Sequence, residues 1–105
     1  MISNIIKPNE VSGGAVNYVD SSRIVLNDLS WSVTSSGMAY ADASSYVSIP
    51  SNAKIVSSVL TDWGNLDSNI IIQAYVDSGN KLCLMCNQST WQVFPYVIFR
   101  VFYTV

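Results

Sequence analysis

From Tyr96 to Val105 the chain alternates two sets of side chains, with no Gly, no Pro and a single charge, Arg100. Val97, Phe99, Val101, Tyr103 and Val105 form one set; Tyr96, Ile98, Arg100, Phe102 and Thr104 form the other. A period of two in β-branched and aromatic residues predicts a long strand. The first set must face a core. The second is too apolar for open solvent yet carries a charge and two hydrogen-bonding groups. This suits a central strand whose second face is covered, for example by another subunit. A guanidinium between Ile98 and Phe102 then needs a carboxylate, several carbonyl oxygens, or an outlet to water along its stem.

The same period recurs upstream in shorter runs. Ile70–Val76 and Lys81–Cys86, separated by Asp77-Ser78-Gly79-Asn80, read as a hairpin. Lys54–Leu60 reads as a strand, Tyr46–Ile49 as a short strand closed by Pro50, and Arg23–Leu29 as one ending in an Asn27-Asp28 turn. Leu29, Trp31 and Val33 alternate with serines, which places Trp31 in the core, and Met38–Ala43 follows a turn or bulge at Gly37. Residues 1–22 keep no clear period and contain Pro8, Gly13 and Gly14, with room for short strands near Ile5 and Val16. The expected architecture is all-β: an antiparallel, jelly-roll-like β-sandwich of about seven strands over 29–105, preceded by an irregular leader, 1–28.

Composition sharpens this picture. A chain of 105 residues is one domain, able to fold without metal or disulfide staples. Charged residues are only 11% of it and hydrophobic residues 50%, so its polar surface rests on Ser, Asn and Thr. Little charge repulsion keeps copies apart, which favours a homo-oligomer; a monomer with a Ser/Asn coat is the alternative. A net charge of −2 with scattered basic residues leaves no footprint for nucleic acid or an anionic membrane. The start, MISNIIKPNE, has no signal-peptide pattern, and no apolar run reaches the length of a membrane span.

Candidate chemistry is sparse. With no His in the chain, Ser-His-Asp and Cys-His sites cannot be built. Cys83 and Cys86 form C-x-x-C, but a strand points positions three apart to opposite faces and no second pair exists. They read as buried thiols, with no metal or other cofactor expected. Asp62 and Asp67 raise a glycosidase pair, yet their Gly, Asn and Ser neighbours favour turn roles. What remains is aromatic and amide chemistry on loops. Trp63 and Trp91, beside Asp62, Asn65, Gln88 and Thr90, suit stacking on sugar rings while amides bond the hydroxyls. The competing reading has each indole capping the open end of the core. The candidate ligand-binding residues are Trp63, Asn65, Gln88 and Trp91.

The succession Ser35–Tyr40 (SSGMAY), Val47–Pro50 (VSIP), Lys54–Val56 (KIV), Asp77–Asn80 (DSGN) and Val97–Tyr103 (VIFRVFY) resembles the C-terminal head domains of bacteriophage tail-fibre and receptor-binding proteins. The likeness spans about residues 30 to 105 and is one of pattern. It implies a non-enzymatic β-sandwich that trimerises, sits in the virion tail or outside the cell, and binds host-surface glycan or protein through its end loops. The alternatives are a stand-alone bacterial carbohydrate-binding module and, more remotely, a glycan-cleaving enzyme.

Overall fold

The computed structural model describes residues 15–105; the strand expected near Ile5 lies outside them. The strands are β1 (Asn17–Asp20), β2 (Ile24–Val25), β3 (Ser32–Val33), β4 (Ala39–Asp42), β5 (Lys54–Gly64), β6 (Ile72–Val76), β7 (Leu82–Cys86) and β8 (Tyr96–Thr104). One-turn 3₁₀ segments lie at Leu26–Asp28 and Ser44–Tyr46. Two antiparallel four-stranded sheets form the sandwich. In the first, β8 is central, with β5 on one edge and β1 then β2 along the other; the second runs β3-β4-β7-β6. The chain passes between sheets after β2, β4, β5 and β7, a jelly-roll manner of winding.

The terminal strand is the sheet's axis, as its pattern predicts. Val97, Phe99 and Val101 are buried, and they join Ile24, Leu26, Leu84 and Ala41 in one core cluster and Ile55 and Leu82 in a second. Both edges of β8 are hydrogen-bonded over most of its length. On one side β1 pairs Asn17–Asp20 with Tyr103–Arg100 and β2 pairs Ile24 and Val25 with Val97 and Tyr96. Between them, Ser21 N donates to Phe99 O at 2.7 Å, while Phe99 N donates to Ser21 Oγ at 3.0 Å. A side-chain oxygen thus completes the ladder where the backbone of β1 turns away.

Arg100 meets its carboxylate. The register sets Asp20 directly opposite, and Nε and Nη2 reach its two oxygens at 2.8 and 3.2 Å. The guanidinium also lies 4.3 Å over the Tyr18 ring. Within one chain this outer face is open: Tyr18, Val56 and Val59 on it are exposed.

Four expectations are corrected. The sandwich begins before residue 29, because Asn17–Val25 supply one whole edge of β8; two- and four-residue strands are too short to show a period. Val33 is 59% exposed and Trp31 only half-buried, since β3 is a two-residue edge strand with no cover beyond β4. Tyr46–Ile49 forms no strand: Asp42 Oδ1 accepts from Ser44 N at 2.8 Å and starts a 3₁₀ turn. Lastly, β5 runs on to Gly64. Its apolar residues fall in adjacent pairs, Ile55-Val56 and Val59-Leu60, and register shifts after Ile55 and Leu60 restore alternation by absorbing one residue each.

The β3–β4 and β6–β7 hairpins form where the turn chemistry places them. Gly37 takes φ +89°, a left-handed conformation open to glycine at no steric cost. In the second turn Asn80 takes φ 60°, while Asp77 Oδ1 accepts from Gly79 N and Lys81 N.

Phe99→Ala should lower stability by about 3–5 kcal/mol through cavity formation. Ser21→Ala should cost about 1–3 kcal/mol, because the buried Phe99 N–H loses its acceptor. Urea unfolding of both variants measures this. The Asp20 carboxyl is held below its ordinary 3.8 first by its hydrogen bond to Arg100, and that of Asp42 by its bonds to Ser44. A depressed folded pKa gives stability that is present above the unfolded value and lost as pH falls through the folded one. Unfolding midpoints should therefore drop below about pH 4, and less steeply in Asp42→Asn, which keeps the acceptor for Ser44 but not the charge.

Candidate functional site

At the end of the sandwich where β5 stops and β8 begins, two connections lie side by side: 65–71, between β5 and β6, and 87–95, between β7 and β8. Gly64 allows the first to leave, because a Cβ there would collide with the ring of Tyr96. Asn65 follows with φ 57°, a conformation Asn tolerates better than most residues. Its amide nitrogen donates to Phe94 O at 3.4 Å and so spans the two connections. Asn87 adds a second tie, since its Nδ2 donates to Asn69 O and its Oδ1 accepts from Ile71 N, both at 2.9 Å.

The second connection is anchored from below. Asn27, in the 3₁₀ turn after β2, donates through Nδ2 to Trp91 O at 3.3 Å and to Val93 O at 3.1 Å. Leu26 N donates to Pro95 O at 3.0 Å. Trp91 packs on the core beside Trp31, with ring centroids 5.5 Å apart at 57°, a tilted arrangement that aromatic pairs favour. Trp31 Nε1 donates to Leu26 O at 2.8 Å. By contrast, Trp91 Nε1 and Asn27 Oδ1 are buried and have no protein partner.

Two clefts open here. One, of about 500 Å³, is lined by Asp67, Gln88, Thr90, Trp91, Gln92 and Val93. The other, of about 390 Å³, has Trp63 and Asp67 with Ser68 against an apolar floor of Leu60, Leu66 and the isoleucines at 70–72. Asp67 lines both. Of the predicted ligand-binding residues, Gln88 and Trp91 share the first cleft and Trp63 lines the second; Asn65 lines neither and acts as a strut. Trp63 was expected in a loop but sits within β5, paired opposite Val97 near the end of the strand, and is 55% exposed. Trp91 serves both readings, packing on the core while lining a cleft. The same end carries Val93 and Phe94, 52% and 68% exposed, and Ile71.

Sequence reasoning missed the central place of Asp67 and the tying roles of Asn27 and Asn87. Asp67 is next to Ser68 and Asn69, a composition that reads as turn, and its carbonyl does accept from Ile70 N at 3.1 Å. Asp62 lines neither cleft; its Oδ1 accepts from Trp63 N at 2.9 Å.

A cleft of about 410 Å³ at the opposite end, near Val47–Ser51 and the β6–β7 turn, has no aromatic wall. Cys83 and Cys86 are free, buried thiols. Burial raises both pKa values, aided at Cys83 by the nearby Asp77 and Asp42 carboxylates, so neither presents a nucleophilic thiolate. Among the described residues no three His, Cys, Asp or Glu side chains come together as a metal site, and no helix is long and apolar enough to cross a membrane. Comparison with protein-family models, curated proteins and solved structures finds no match to this chain.

Asn27→Asp would set a carboxylate against the carbonyl oxygens of Trp91 and Val93. It should lower stability at pH 7 by about 1–3 kcal/mol and red-shift tryptophan emission as Trp91 loosens. Both effects should diminish below about pH 4, where the acid is protonated; urea unfolding followed by fluorescence at two pH values checks this.

Proposed function

We propose that the protein is a non-enzymatic attachment module, the receptor-binding tip of a bacteriophage tail fibre. On this reading it assembles as a homotrimer in the virion tail and engages host-surface carbohydrate or protein through the end loops 65–71 and 87–95. One observation carries the reading. The end bearing Trp63, Trp91 and their amide neighbours is the far end from where the described chain enters, since β1 begins opposite Tyr103 and β8 runs from the cleft end towards it. A tip presented on a shaft needs that polarity, with attachment at one end and recognition at the other.

Self-association is supported by the outer face of the β8 sheet. Val56 and Val59 are exposed there, Ile98 and Phe102 are half-buried, and its one ion pair, Asp20 with Arg100, is satisfied within the chain. The centre of this face is apolar and its central charges are paired, while Lys54 and Asp62, in register with Thr104 and Ile98, put exposed charges towards its two ends. Such an apolar middle with a charged rim suits burial against another copy.

Sedimentation should give a particle of three 11.5-kDa chains. Val59→Asp should separate the protomers while leaving the far-UV circular dichroism unchanged. A monomer at micromolar concentration that still binds sugar would instead support a stand-alone carbohydrate-binding module. Labelled protein should bind host cells, and Trp63→Ala should weaken that binding about tenfold or more without unfolding the chain.

A further inference from the structure

Resting on that reading, we infer that the receptor is an uncharged saccharide of at least two rings, seated astride Asp67 and presenting a methyl-bearing ring to Trp63.

The two clefts have one lining residue in common, Asp67, and each contributes one indole, Trp91 or Trp63. At about 500 and 390 Å³, each is of the size that holds a small ligand. A single ring occupies part of one of them and leaves the other indole idle. A linked pair of rings reaches both, and Asp67 between them can accept hydroxyl hydrogens from either ring.

The clefts differ in chemistry. Around Trp91 the lining is Gln88, Thr90 and Gln92, with Asp67, donors and acceptors suited to a ring rich in hydroxyls. Around Trp63 the polar groups are only Ser68 and the shared Asp67, and the floor is Leu60, Leu66 and three consecutive isoleucines, which have nothing to offer a hydroxyl and exact a desolvation cost from one. A ring carrying an acetamido methyl or a 6-deoxy methyl suits that floor, because the methyl group gains by leaving water.

Charge excludes acidic sugars. Among the described residues, Asp67 is the only charged side chain lining either cleft. Among the described basic residues, Arg23 lies over the Tyr96 ring and Arg100 is paired with Asp20. Lys54 and Lys81 lie towards the opposite end, at the start of β5 and beside the β6–β7 turn. A sialic or uronic acid placed here would face a carboxylate with no compensating cation, a built-in discrimination.

The test is a glycan array probed with the full chain, pairing neutral oligosaccharides with their sialylated or uronic counterparts and with their component monosaccharides. Binding to host cells is measured in parallel. Neutral, methyl-bearing oligosaccharides should bind at least about tenfold more tightly than either set of controls. Trp63→Ala should abolish the advantage over monosaccharides, and Asp67→Asn, which removes charge but keeps an acceptor, should narrow the gap to acidic glycans. Acidic glycans bound as well as neutral ones, or monosaccharides as well as oligosaccharides, overturn the inference. Cells bound with no glycan retained also overturn it while leaving the attachment reading intact, the receptor then being a protein. Failure to bind either cells or glycans overturns both.

Discussion

A strand in the middle of a buried sheet carries hydrogen-bonding groups along both edges, and leaving any of them unpaired costs about as much as a lost hydrogen bond. In this protein that demand falls on β8. Its β5 edge is met by one long partner that bulges twice to stay in register. The other edge is met in pieces by β1, the hydroxyl of Ser21, and β2. Ser21 is the one polar residue buried among the described core positions. The segment 17–25 belongs to the sandwich for this reason, despite its thin apolar content: without it half of β8 would lack partners.

Once β8 is fixed between its neighbours, its two faces take different roles. The inner face supplies both core clusters. The outer face holds Arg100 among apolar side chains, made tolerable because Asp20 is directly opposite in the ladder and Tyr18 offers its ring to the guanidinium. The direction of β8 also separates the ends of the molecule. Both connections that form the clefts adjoin its start, while the described chain enters beside its finish.

A chain so poor in charge ties its loops with amides. Asn27, Asn65, Asn80 and Asn87 each bond backbone groups of a segment distant in sequence. An amide carries both a donor and acceptors without the desolvation cost of a charge, so it can stitch half-buried loops where an ion pair would gain little. These asparagines act as internal ties as much as surface cover. Asn27, Asn65 and Asn87 hold the backbone of 87–95 so that Trp91 can rest on the core and still line a cleft.

The sequence by itself determined the elements with strong local signals. The alternation from Tyr96 to Thr104, the Asp77–Asn80 turn and the Gly37 turn all stand where period and turn chemistry place them, as does the all-β sandwich they imply, while Val105, expected to face the core, lies past the strand and is exposed. Opposite faces for Cys83 and Cys86 follow from strand geometry alone. The need of Arg100 for a partner was legible, but its choice of Asp20 was not, because the pairing joins residues 80 apart and depends on a four-residue strand. The gathering of Gln88 and Trp91 in one cleft was foreshadowed by their closeness in sequence. The bond between Asn65 and Phe94, the sharing of Asp67 by two clefts and the hold of Asn27 on Trp91 join segments that only the crossing of the chain between sheets brings together. Local pattern reports which face of an element seeks burial; which loops then meet at an end of the sandwich is decided by strand order, and strand order is a property of the folded whole.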